Sequence, residues 1–131
     1  MYSIKVYSLK AEGNLNVSRN FKVREFACKD GSDVVLICPL TVWILQNVRD
    51  RFGKPVRITS AYRTPDHNAK VGGATNSLHI LGVAVDFVVD GVAADKVQAY
   101  LDSCFPNTCG IGKAANYTHI DTREAKSRWT Y

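Results

Sequence analysis

Two short stretches concentrate the side chains able to do chemistry. "SLHILGVAVD", residues 77–86, places His79 and Asp86 among small and apolar neighbours. "YTHIDTR", residues 117–123, alternates so that His119 and Asp121 point the same way from a strand. A carboxylate flanked by apolar groups on its own strand face must be paired, hydrogen-bonded or bound to a metal. Two imidazoles and one carboxylate match the protein ligands of a catalytic zinc site, where the fourth tetrahedral position stays open to water. The bound metal lowers the pKa of that water to about 7. Spacing alone leaves a second reading standing: a lone aspartate at a strand end is usually a cap or turn residue. His67 reads as an exposed loop histidine.

These residues need elements to hold them. Residues 82–89, "GVAVDFVV", form a β-branched strand expected to be buried on both faces. Ala84 leaves room beside Asp86, and Gly82 provides a bend that can fold His79 back over the strand. A second strand is expected over 56–63, "VRITSAYR", and a third over 117–123. The segment 2–9 suits a short strand and 20–28 a short helix with Phe21, Val23 and Phe26 inward. The strongest helix signal is 39–52, with Pro39 at its first turn, a stripe of Leu40, Trp43, Ile44, Val48 and Phe52, and Gly53 ending it. Another helix is expected over 92–104. "TPDHNAKVGGATNS" reads as loop with one helical turn after Pro65, and "NTCGIGKAAN" as glycine-marked connection. Strands and helices mix without a βαβ rhythm, so the expected class is α+β, with helices against one small, mostly antiparallel sheet.

Composition narrows the function. The 131 residues are one domain by size, residues 1–131, with 1–17 as an N-terminal strand extension. With 46% hydrophobic and 22% charged residues the chain reads as globular, and no apolar run approaches the roughly 18 residues that span a bilayer, so membrane insertion is not expected. The N-terminus lacks the pattern of a signal peptide, which places the expected site of synthesis and residence in the cytoplasm. Net charge is +5 and favours anionic partners. The basic residues are scattered, however, and no basic motif interleaved with aromatics appears, so nucleic acid is not an expected partner. Cys28, Cys38, Cys104 and Cys109 form no CxxC pair, which argues against a cysteine metal site. Reduced thiols are expected, although Cys104 and Cys109 are close enough in sequence to bridge across "FPNT".

"SAYRTPDHNAKVGGATNSLHILGVAVDF" resembles the central signature of the zinc D-Ala-D-Ala carboxypeptidase (peptidase M15-like) family. Ser77, His79, Gly82, Ala84 and Asp86 occupy its fixed positions, with Arg63 preceding them. "YTHIDTR" followed by "SRW" is similar to the C-terminal H-x-D and Arg-Trp tail of a small branch of that family. The resemblance covers roughly residues 18–131. It implies a fold shared with the Hedgehog signalling domain and DD-peptidases. It implies one zinc ion held by His79, Asp86 and His119, with Arg63 as a substrate contact. A guanidinium can bind a peptide carboxylate bidentately or stabilise a developing oxyanion. Ser60 and Ser77 can add substrate hydrogen bonds, or can serve only to satisfy turn and strand-edge groups. Many relatives carry Glu or Asp three residues before the last histidine, as general base. Here that position is Asn116, which cannot take a proton from water. Asp121 is the available base, or else it orients a metal ligand or Arg63 from behind, and Glu124 is a weaker alternative.

The expected function is therefore a zinc metallopeptidase hydrolysing peptidoglycan stem peptides, as a D,D-carboxypeptidase or endopeptidase. A phage or prophage endolysin fits, waiting in the cytoplasm for a holin and acting as a monomer on the anionic wall. The alternative is a non-catalytic, zinc-bound cell-wall recognition module or phage structural module.

Overall fold

The computed structural model describes residues 3–131. In chain order the elements are β1 (Lys5–Ser8), α1 (Leu9–Glu12), β2 (Asn16–Ser18), β3 (Phe21–Lys22), β4 (Val34–Ile37), α2 (Pro39–Phe52), β5 (Val56–Ser60), α3 (Pro65–Lys70), β6 (Ala84–Val89), α4 (Ala94–Cys104), β7 (Gly110–Lys113), β8 (Thr118–Asp121) and β9 (Ser127–Thr130). The class is α+β, as expected. The strands form a five-stranded sheet, β5-β6-β8-β7-β9, and two small antiparallel pairs, β1-β4 and β2-β3, where one sheet was expected. The large sheet is antiparallel except at its end, where β9 runs parallel to β7.

Helices α2 and α4 cover one face of that sheet. Ile44, Leu45 and Val48 of α2 and Val97 and Leu101 of α4 join Val85, Phe87, Val89, Ile111 and Ile120 in one buried cluster. Phe52 and Tyr100 close the seam between the two helices edge to face, 5.7 Å apart. Helix α2 keeps its expected bounds, with Pro39 in the first turn and Gly53 left-handed at the C-cap. Its buried face is rotated from the expected stripe: Thr41, Val42, Ile44, Leu45 and Val48 are buried, while Trp43 is 58% exposed and Leu40 47%. The helix meets the sheet on one side and β2 on the other, so its buried arc centres on Leu45.

Strand β6 departs from its expectation in a useful way. Val85, Phe87 and Val89 are buried, but Asp86 and Val88 are only half-buried. The helices cover one face, and the other opens into a cleft. The expected helix over 20–28 is instead strand β3 followed by a single 3-10 turn, Val23–Phe26, though Phe21, Val23 and Phe26 are buried as anticipated. The first strand spans fewer residues than 2–9, and Tyr2 lies outside the described residues. Helix α3 supplies the turn expected after Pro65, capped by Thr64; His67 lies on it half-buried rather than exposed. All four cysteines are free, so no Cys104–Cys109 bridge forms; Cys104 is exposed and the others are buried.

"NTCGIGKAAN" contains a strand rather than a glycine-rich connection. Gly110 pairs in register with Asp121, and Gly112 with His119 on one side and Trp129 on the other. Their spacing of two puts both glycines on one sheet face. A Cβ on Gly110 would stand 2.4 Å from Asp121 Oδ2, and one on Gly112 would stand 2.7 Å from Trp129 Nε1. These glycines make room for side chains rather than for a turn.

Candidate metal centre and cleft

Register places the chemistry. Asp86 lies directly opposite His119 across β6 and β8, and opposite Ser60 of β5 on its other side. The β5-β6 register shifts between Ile58 and Ser60, and the chain then leaves the ladder toward Arg63. His79 comes from the turn before β6. The Ser77 hydroxyl accepts from the His79 backbone N–H at 3.2 Å, and Gly82 closes the bend at φ 76°. A Cβ at Gly82 would stand 2.6 Å from the Leu36 carbonyl oxygen, so the position is doubly restricted.

His79, Asp86 and His119 therefore converge: one ligand atom of each lies within 4.8 Å of the others. His79 donates through Nδ1 to the Ala61 carbonyl at 2.7 Å, which leaves Nε2 facing Asp86 Oδ2 at 3.4 Å. His119 donates through Nδ1 to Asp86 Oδ1 and through Nε2 to Asp121 Oδ2, both at 2.8 Å. Each imidazole thus has one nitrogen anchored away from Asp86 and one directed toward it. That is the arrangement a metal-binding histidine needs, because the anchored N–H fixes which nitrogen offers its lone pair. Two imidazoles and a carboxylate are the donor set that zinc takes, and the residues present fit one such ion.

The electrostatics agree. Burial alone would push the Asp86 carboxyl up, but hydrogen bonds and charge from His119 and His79 outweigh it and hold it well below the usual carboxylate range. Burial opposes charge on His119, yet its bonds to Asp121 and Asp86 raise its pKa.

Asp121 has no exposed surface. Its oxygens accept from His119 Nε2, the Gly110 backbone N–H, and Arg123 through Nε and Nη2, both at 2.8 Å. It therefore lies behind the imidazole, on the nitrogen turned away from Asp86. Burial would raise its carboxyl, but His119 and Arg123 keep it low.

Arg63 reaches the same centre from the other side. Its Nε donates to Ser60 Oγ at 3.0 Å, its Nη1 to Asn68 Oδ1 at 3.1 Å, and its Nη2 stands 3.7 Å from Asp86 Oδ2. Asn68, buried on α3, also ties the loop by donating to the Ala74 carbonyl. Nothing in the sequence distinguished Asn68 from an exposed helix polar residue.

These groups line a cleft of about 460 Å³. One wall is the 71–78 loop; the other is aromatic, with Tyr117, Trp129 and Tyr131. The Tyr117 and Tyr131 rings lie 5.4 Å apart, and burial with the neighbouring Tyr131 pushes the Tyr117 phenol up to about 12. Of the carboxylates considered from sequence, Asp86 and Asp121 line the cleft. Glu124 is exposed, and Asn116 lines a separate pocket beside the start of α4.

The His-Asp-His cluster lines a cleft in an α+β domain and could hold a metal ion, and the comparisons give the family. Residues 17–121 match the Peptidase M15 family, and the chain belongs to it. The peptidoglycan L,D-endopeptidase MepK of Escherichia coli K12 is 33% identical over 78 residues, covering 56% of this chain and 43% of that protein. The probable peptidoglycan L,D-endopeptidase MepK of Haemophilus influenzae is 33% identical over 72 residues, 51% of this chain and 39% of that protein. The zinc D-Ala-D-Ala carboxypeptidase of Streptomyces albus G is 42% identical over 48 residues, 36% of this chain and 19% of that protein. The chain spans less than half the length of the curated relatives it matches.

Proposed function

We propose that this chain is a zinc-dependent peptidase acting on peptidoglycan stem peptides. The observation that carries the reading is the convergence of His79, Asp86 and His119, each imidazole anchored through its outer nitrogen. The names of the M15 relatives support the substrate class. A zinc ion held there would supply Lewis acidity toward the scissile carbonyl and a bound water with a pKa of about 7.

The remaining work falls to the chain itself. Arg63, held by Ser60 and Asn68, presents its guanidinium beside Asp86. There it can bind a stem-peptide carboxylate or the charge developing on the carbonyl oxygen. Ser60 and Ser77 act mainly by positioning, Ser60 on Arg63 and Ser77 on the His79 turn. We assign Asp121 to orienting His119, since its oxygens are taken up behind the ring. The aromatic wall and the 71–78 loop would hold the peptide between them.

One observation favours a second reading. Asp86 and Asp121 are the carboxylates lining the cleft among the described residues, and Asp121 is engaged behind His119. A zinc-bound module that holds wall peptides without cutting them accommodates that directly. Mass spectrometry of purified peptidoglycan fragments incubated with zinc-loaded protein separates the two and names the bond cut. New termini in the wild-type digest, absent with His119→Ala, are expected. Fragment binding by protein carrying one zinc, with no new termini, would sink the enzyme reading. Elemental analysis of Asp86→Ala and His119→Ala should show loss of tight zinc binding in both.

A further inference from the structure

His119 sits in a closed circuit of side chains. Asp121 accepts from its Nε2, and Arg123 grips Asp121 through Nε and Nη2. The Arg123 guanidinium carbon lies 5.2 Å from the Trp129 ring centroid, and that ring lies 5.1 Å from the His119 ring at 53°. We propose that Arg123 and Trp129 are positioning residues for His119, completing a four-residue ring that holds the imidazole from the side away from Asp86. The proposal rests on the zinc-peptidase reading, in which His119 must offer Nδ1 and keep its proton on Nε2.

Three observations carry it. First, Asp121 has no exposed surface, and a buried carboxylate facing only a neutral ligand imidazole would lack a compensating charge. Arg123 supplies that charge in a bidentate geometry and keeps Asp121 an acceptor for the Nε2 proton. Secondly, Trp129 lies against both ends of the circuit, so neither the guanidinium nor the imidazole can swing without unpacking it. Thirdly, the sheet beneath is bare where the ring needs space. Gly110 is paired with Asp121 and Gly112 with His119 and Trp129. A Cβ on Gly110 would meet Asp121 Oδ1 and Arg123 Nε, both at 2.6 Å. The parallel strand β9 brings Trp129 over this floor. The family match ends at Asp121, yet Arg123 and Trp129 both lie beyond it.

The test compares zinc affinity, by competition with a chromogenic chelator, in wild type, Arg123→Met, Trp129→Ala, Trp129→Phe and Gly112→Ala. Circular dichroism checks the fold, and NMR of the zinc-loaded proteins reads the His119 Nε2 proton. Loss of outer support for a metal-binding histidine typically weakens metal affinity about 10–100-fold. That loss is expected for Arg123→Met and Trp129→Ala, together with faster exchange of the Nε2 proton. Trp129→Phe should retain most of the affinity. Gly112→Ala keeps every ring member but displaces the indole, so it should weaken zinc as well; if Trp129→Ala does not fold, this variant and Arg123→Met carry the comparison. Folded Arg123→Met and Gly112→Ala proteins with wild-type affinity and an unchanged Nε2 proton would overturn the ring while leaving the peptidase reading intact. A wild-type protein that takes up no zinc would overturn both.

Discussion

At the residue scale, the question is what Asp121 does. A general base and an orienting carboxylate make different predictions for Asp121→Asn. As an orienter it holds His119 Nε2–H, so the variant should bind zinc about 10–100-fold more weakly. Turnover should recover in part when zinc is raised to saturation. A base would leave zinc affinity at the wild-type value and abolish turnover at any zinc concentration, which competition titration beside a peptide assay distinguishes. His79, Asp86, His119 and Arg63 were legible in the sequence because each stands at a fixed position in a recognisable string. The roles around them were less so. H-x-D spacing places Asp121 on the His119 face of the strand, but it cannot say which ring nitrogen the carboxylate meets. Asn68 and Arg123 meet partners only a few residues away, Arg63 and Ala74 for the one and Asp121 for the other, but spacing alone does not say that these side chains pair; Trp129 reaches His119 only because β9 lies beside β7.

At the scale of elements, glycine was the hardest residue to read. Gly82 and Gly53 behave as bends and caps, with φ of 76° and 64°. Gly110 and Gly112 do the opposite, and their period of two was the available sign of a strand. The missed β7 and β9 follow from this: short strands with few β-branched residues have little signal until their partners are known. Gly82→Ala tests the bend that carries His79. Forcing a Cβ into a left-handed conformation costs about 1–2 kcal/mol, and the Leu36 carbonyl adds a steric conflict. Urea unfolding should register a loss of at least about 2 kcal/mol. A change below about 0.5 kcal/mol, the size of an ordinary surface substitution, would mean that the turn relaxes freely.

At the scale of the whole molecule, the open end of the sheet is fastened to the helical layer through Asp102 of α4. Asp102 accepts from Lys113 Nζ at 2.6 Å and from Arg128 Nε at 2.5 Å, and Arg128 also donates to the carbonyls of Phe105, Thr108 and Cys109. Partial burial would raise the Asp102 carboxyl, but Lys113 and Arg128 hold it below its ordinary value. A carboxyl depressed on folding contributes stability above its unfolded pKa of about 3.9, and that contribution disappears as pH falls through the folded value. Stability measured from pH 6 downward should therefore decline less steeply in Asp102→Asn than in wild type. Equal slopes would show that this cluster plays no part in acid unfolding. The α+β class and α2 were readable because their periodicity is local; the placement of β9, secured by Arg128, was not.

The packing of Trp129 against His119 also gives the protein an intrinsic optical reporter. The chain has two indoles, Trp43 and Trp129. Trp43 is 58% exposed on α2 and does not line the cleft, so its emission should be insensitive to what happens there. In Trp43→Phe the fluorescence would come from an indole 5.1 Å from the His119 ring. Any cation that binds His119, and any peptide that slides along the aromatic wall, should change the emission of that indole when it is excited beyond the tyrosine absorption band. Zinc uptake and substrate arrival could then be timed separately, in unlabelled protein, by stopped flow.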